Sequence, residues 1–164
     1  MNYIEKVYII IKKSIKKIEG SEIVDLNNLN QRCLSKSIIS KINIPPNNNS
    51  AVDGYLFSHK ELNNKKKLSV PMLGEINAGD EIKKIRYKEG FFKVSTGSCI
   101  PKNYDTVVML ENAIGLENSL TIKNKITKAM NVRKKGEDVK RGQTVFKKGH
   151  MIKPQDIGMM ASMG

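Results

Sequence analysis

Cysteine, tryptophan, arginine and long apolar runs are scarce in this sequence, and each shortage excludes a class of protein. The 164 residues include two cysteines, no tryptophan and four arginines. Two cysteines, Cys33 and Cys99, are too few for a disulfide framework or a four-cysteine zinc site. No apolar run reaches the roughly 18 residues of a membrane span. The first twenty residues lack a small-residue cleavage site, so we expect a cytoplasmic protein without a signal peptide or a membrane partner.

The charge of the chain is strongly one-sided. Twenty-five lysines and four arginines against 16 acidic residues give a net charge of +13, which is typical of nucleic-acid-binding proteins. However, arginine, the usual reader of phosphates and guanines, is nearly absent. The aromatic content of 5% provides no stacking platform for bases. We therefore expect a solvated lysine-rich surface and no nucleic-acid partner, and keep a basic nucleic-acid-binding domain as an alternative.

Hydrophobic periodicity predicts few helices. Apolar residues recur at spacings of three and four over residues 3–18, which predicts an amphipathic helix that stops before Gly20. A short helix is expected over residues 29–34, capped by an asparagine. Pro154 favours the start of a last helix over residues 155–163.

Between Pro45 and Val132 the pattern is mostly β. Turn residues separate short apolar segments every 8 to 12 residues, which is typical of a small sandwich or barrel and not of a βαβ fold. The predicted strands are 67–70, 74–76, 82–86, 91–94, 106–110, 120–126 and 130–132.

Three polar turns are candidates for a binding site. The segment 45–55 is rich in asparagine and has small residues that let a ligand approach the backbone. The segment 95–101 has hydroxyls followed by glycine, which offer donors to an anion. The segment 133–138 joins three cations to two carboxylates around a glycine and suits an anion or a metal. Each turn is also explained as an ordinary surface loop or a solvated charge cluster.

Taken in order, these segments resemble one known family. The motifs on which the resemblance rests are NSAVDGY at 49–55, STGSCIPKNYDTVVMLE at 95–111 and NVRKKGEDV at 131–139, with weaker echoes at 74–79 and 142–149. They are similar to the molybdopterin molybdenumtransferases, the family of MoeA and the gephyrin E domain. The resemblance covers nearly the whole chain but only the N-terminal region of the family. It stops at Gly164, where the family's central molybdopterin-binding domain begins.

The resemblance implies a fold that is mixed α and β and mainly β, in an elongated two-domain arrangement. Residues 1–20 would form the N-terminal amphipathic helix, which in the family leans on the central domain. Residues 21–42 plus 138–164 would form a small α/β domain. Residues 43–137 would form a β-rich domain inserted into it.

The implied function is molybdenum cofactor biosynthesis. The family hydrolyses adenylylated molybdopterin with Mg²⁺ and joins molybdate to the dithiolene. The resemblance implies that Asp53, Thr96 and Asp138 are catalytic. It implies that Ser50, Gly97 and Arg133 bind substrate. No metal ligand is assigned to this chain, because the family's Mg²⁺ ligands lie mostly outside the matching region.

The resemblance also implies partners. Members form homodimers in which the β-rich region of one subunit faces the pterin-binding domain of the other, and the molybdopterin adenylyltransferase is a further expected partner. A segment with half of such a site should be inactive alone, since catalysis needs positioning from both sides. A non-catalytic dimerisation or scaffold module is the alternative. The chain departs from the family at Asn47 and Asn48, where the family usually has Phe-Asp.

Overall fold

The computed structural model describes residues 2–16, 18–62, 67–82 and 85–164. In these ranges the chain is mixed α and β, mainly β, with several small sheets, as the sequence predicts. It forms two compact units, which we describe separately. Residues up to 37 and residues 147–162 form the terminal unit, and residues 38–146 form the central unit. The domain boundaries expected from the resemblance stay a prediction.

The terminal unit begins with α1, Tyr3–Ser14. A reciprocal capping box starts it, because Glu5 N donates to Asn2 Oδ1 at 2.8 Å and Asn2 N donates to Glu5 Oε2 at 2.9 Å. The predicted end at residue 18 is wrong: Ile15 is already extended, and Lys17 lies outside the described residues. No side chain of α1 is buried. No helix in the described ranges is long and apolar enough to cross a membrane.

The helix predicted over residues 29–34 does not form. A 3₁₀ turn, Leu26–Asn28, precedes this segment instead. The backbone at Gln31 is left-handed, with φ of 64°, and Gln31 N donates to Ile152 O at 2.9 Å. Pairing with a distant segment thus replaces local helix formation. The second helix, α2, runs over Pro154–Met163 with proline in its first turn, as predicted.

The central unit is built from short strands. They are β1 (Ile38–Ile39), β2 (Asn49–Ser50), β3 (Gly54–Phe57), β4 (Lys67–Leu68), β5 (Met72–Ile76), β6 (Phe91–Val94), β7 (Thr106–Met109), β8 (Ala113–Leu116), β9 (Ser119–Ile122), β10 (Val132–Arg133) and β11 (Thr144–Phe146). A four-stranded sheet has the order β5-β6-β3-β7, and a three-stranded sheet has the order β4-β9-β8. Two two-stranded sheets pair β1 with β11 and β2 with β10.

The strands predicted at 67–70, 74–76, 106–110, 120–126 and 130–132 overlap β4, β5, β7, β9 and β10 but have different ends. The prediction for β6 is confirmed residue for residue, whereas β3 and β8 were not predicted because turn residues border or interrupt them. The strand predicted at 82–86 includes positions 83 and 84, which lie outside the described residues, and the described remainder is not a strand. The strands β5 and β6 pair in parallel, which an antiparallel sandwich would not contain.

The four-stranded sheet carries a hydrophobic cluster on each face. Successive residues of β3 enter opposite clusters, since Leu56 packs with Val94 and Phe57 packs with Phe91. All four are at most 3% exposed. Full burial of each such side chain contributes about 1.5–3 kcal/mol. The first two polar turns adjoin the ends of β3 and β6 in this sheet, and the third follows β10.

Glycine at position 54 is required by the sheet, and this predicts a large effect of Gly54→Ala. An added Cβ would collide with the Val108 carbonyl oxygen and lie 2.9 Å from Val107 Cγ1. We expect the free energy of unfolding to fall by about 3 kcal/mol. Urea unfolding followed by far-UV circular dichroism measures it.

The matched control is Gly158→Ala in α2, where an added Cβ meets nothing within 4 Å. There we expect a gain of about 1 kcal/mol, because alanine favours the helix. Equal small effects at both positions would contradict the packing argument.

Candidate functional site

The three polar turns lie side by side, with β2 in the middle. On one side, β2 pairs antiparallel with β10, so that Ser50 faces Val132. On the other side, Ser50 N donates to Ser98 O and Gly97 N donates to Ser50 O, both at 2.9 Å. Ile100 N extends the contact by donating to Asn48 O at 2.9 Å. Backbone hydrogen bonds therefore join three segments that lie far apart in the chain.

Asp53 and Thr96 form a direct pair across the first two turns. Asp53 Oδ1 accepts from Thr96 N at 2.6 Å and from Thr96 Oγ1 at 2.9 Å. The hydrogen bond from the Thr96 amide, followed by that from its hydroxyl, lowers the pKa of Asp53 below its ordinary value. Both residues are exposed. The pair therefore presents an ionised carboxylate of fixed orientation to solvent at neutral pH.

A small cleft of about 220 Å³ opens beside Asp53. Across it, Glu75 and Lys93 form an ion pair with 3.1 Å between Lys93 Nζ and Glu75 Oε1. Neither residue is among the site residues expected from the sequence, although Glu75 lies in the echo at 74–79 and Lys93 lies in the predicted strand 91–94, both at exposed positions. Neither Thr96 nor the third turn lines this cleft.

Arg133 and Asp138 form a second pair within the third turn. Arg133 Nη2 lies 2.6 Å from both carboxylate oxygens of Asp138, and Glu137 Oε1 lies 3.6 Å from Arg133 Nε. The hydrogen bond to Asp138 raises the pKa of Arg133 further. Two carboxylates thus neutralise the charge of Arg133 in this structure.

Ser50 and Gly97 have structural uses in the turns. Ser50 is 1% exposed, and its hydroxyl donates to Val52 O at 2.6 Å. Gly97 adopts φ of 83°, a left-handed conformation that favours glycine. Contact of these two residues with substrate stays a prediction, as do the catalytic roles of Asp53, Thr96 and Asp138.

The structure shows what Asn47 and Asn48, the two residues that differ from the family pattern, contact. Asn48 Oδ1 accepts from Lys135 N at 2.8 Å and so ties the first turn to the third. The amide oxygen of Asn48 can accept this hydrogen bond as the carboxylate of the family's aspartate could, but it carries no charge. Asn47 is exposed and lines a larger cleft of about 650 Å³.

The described residues do not by themselves fit a magnesium site. No group of three or more His, Cys, Asp or Glu side chains in these ranges is placed to hold a metal ion. Mg²⁺ also requires near-octahedral oxygen ligands. We therefore derive no step through Mg²⁺ from this chain.

Comparison with known proteins defines the class to which this arrangement belongs. The family model for the MoeA N-terminal region (domain I and II) matches residues 3–164, and the chain belongs to this family. A crystal structure of a molybdopterin biosynthesis moeA protein from Pyrococcus horikoshii OT3 superposes with a TM-score of 0.87 and 28% identity. The superposition covers 98% of this chain and 43% of the Pyrococcus horikoshii chain.

Two curated relatives are also similar to this chain. A molybdopterin molybdenumtransferase of Haemophilus influenzae is 31% identical over 145 residues, 88% of this chain and 35% of that protein. A putative molybdopterin biosynthesis protein of Methanocaldococcus jannaschii is 32% identical over 149 residues, 91% of this chain and 35% of that protein. The chain thus spans about a third of the length of these relatives.

The Asp53–Thr96 geometry predicts the effect of Thr96→Val on acidity. The substitution removes the hydroxyl bond but keeps the stronger contribution of the backbone amide. We expect the pKa of Asp53 to rise and yet to remain below 3.8, its ordinary value. Carboxyl carbon chemical shifts in an NMR pH titration measure it.

The lowered pKa also fixes the direction of the stability change. Asp53 contributes to the free energy of unfolding at any pH above its ordinary pKa. This contribution is lost as the pH falls through the lowered pKa of the folded state. Thr96→Val should shift that loss to higher pH. An unchanged titration curve would show that the hydroxyl bond is absent in solution.

Proposed function

We propose that this chain acts as the N-terminal part of a molybdopterin molybdenumtransferase, in the step that inserts molybdate into adenylylated molybdopterin. The observation that carries the proposal is the convergence of three distant polar turns around β2, with the oriented Asp53–Thr96 pair beside an open cleft. The family membership supports it. The description of the Haemophilus influenzae relative supports the named reaction.

The chemistry of the pair suits this reaction. The Asp53 carboxylate is ionised at neutral pH and is fixed by two hydrogen bonds, so it can orient a water or a leaving group at its free edge. Within the described residues, Asp53 Oδ2 accepts no hydrogen bond and stays available for that contact. In this proposal the remaining contacts to the pterin come from outside the matching region.

A chimera tests the proposal. The chain replaces the matching segment of the Haemophilus influenzae enzyme, and molybdenum insertion is measured with adenylylated molybdopterin, Mg²⁺ and molybdate. We expect Asp53→Asn or Thr96→Ala to lower the rate by about 100-fold, the scale of a lost positioned acid–base group. The melting temperature should stay near that of the unsubstituted chimera, because both side chains are exposed.

Exposed positions elsewhere provide matched controls. Asp25→Asn and Thr127→Ala make the same chemical changes at exposed sites, and Asp25 makes no capping hydrogen bond to its 3₁₀ turn. Full activity of the site variants would refute the proposal. An inactive unsubstituted chimera that folds would favour the scaffold alternative. The chain alone is expected to show no turnover above background.

We also propose that the chain forms a homodimer. The support is α1, whose apolar residues are widely exposed, with Ile4 at 76% and Tyr8 at 65%. Exposed apolar surface of this kind favours association. Light scattering at micromolar concentration should give twice the 18.4 kDa of one chain. Ile4→Glu should shift the mass toward that of one chain if α1 contributes, and a strictly monomeric parent chain contradicts the proposal.

A further inference from the structure

We propose that Lys93 binds the oxyanion substrate, and that Glu75 is a positioning residue that holds Lys93 at the cleft and yields it to the anion. The ligand class is a tetrahedral oxyanion such as molybdate. This inference rests on the proposed function, because it assigns a contact for the anion that the proposed reaction consumes.

The sheet register places the ion pair next to Asp53. Glu75 and Lys93 face each other across the parallel strands β5 and β6. The next residue of β6, Val94, faces Gly54, which directly follows Asp53 in the chain. All three charged side chains line the cleft of about 220 Å³. Strand pairing, and not loop geometry, therefore fixes Lys93 beside the ionised Asp53.

The charges at the site leave Lys93 as the suitable cation. An oxyanion beside Asp53 meets the negative charge of that carboxylate and needs a nearby positive charge to offset it. Arg133 already contacts two carboxylates and does not line the cleft. Among the described residues that line the cleft, Lys93 is the one cation.

The ion pair between Lys93 and Glu75 is weak enough for an anion to replace Glu75. The side chains of Lys93 and Glu75 are 46% and 53% exposed, and exposed ion pairs contribute little free energy. A dianion in the cleft can therefore take the ammonium group from Glu75. Removal of Glu75 frees Lys93 and should strengthen anion binding, whereas removal of Lys93 should weaken it.

These opposite effects can be tested by titrating the chain with sodium molybdate at constant ionic strength. Amide NMR shifts measure the binding. We expect Lys93→Met to weaken binding about five-fold and Glu75→Gln to strengthen it about two-fold, the scale of one exposed ionic contact. Lys93→Arg should retain binding. The controls Lys128→Met and Glu22→Gln make the same charge changes in ion pairs that do not line the cleft.

The outcomes separate the inference from the proposed function. The inference fails if the parent chain does not bind molybdate, if Lys93→Met matches Lys128→Met, or if Glu75→Gln weakens binding as Lys93→Met does. In the last case the pair is only structural. A chimera that is inactive with Asp53→Asn and fully active with Lys93→Met keeps the proposed function and removes Lys93. The converse result is a chimera that is fully active with Asp53→Asn while the chain still requires Lys93 to bind molybdate. That result removes the proposed function and keeps Lys93 as an anion contact.

Discussion

The backbone hydrogen bonds on both sides of β2 hold the candidate site together. One strand of two residues bonds to β10 on one edge and to the turn around Gly97 and Ser98 on the other. Side chains add to this frame, since Asn48 caps Lys135 N and Thr96 binds Asp53. Because these bonds cross between distant segments, the backbone ladder and the side-chain contacts together bring the three turns side by side.

A hydrophobic cluster supports that ladder, since Val132 of β10 packs against the cluster that contains Leu56. The short strands of the central unit bury large side chains on both faces of the four-stranded sheet, and Gly54 allows β3 to lie against β7 without room for a side chain. Asp53 precedes this glycine immediately. Its carboxylate is thus attached next to a residue that leaves no room for a side chain.

The electrostatics of the site are more balanced than the overall charge of +13 indicates. Arg133 is matched by Asp138 and Glu137, and Lys93 is matched by Glu75. The lysine-rich surface and the site are therefore distinct features.

By itself the sequence determined the β-rich class, the strand β6, the proline start of α2 and, through its ordered motifs, the family. These features depend on local patterns of apolar and turn residues. Tertiary structure decided the end of α1, the absence of a helix over residues 29–34 and the parallel pairing of β5 with β6. It also decided the proximity of Glu75 and Lys93 to Asp53. Such features arise from hydrogen bonds and contacts between residues far apart in the chain, which no local pattern records.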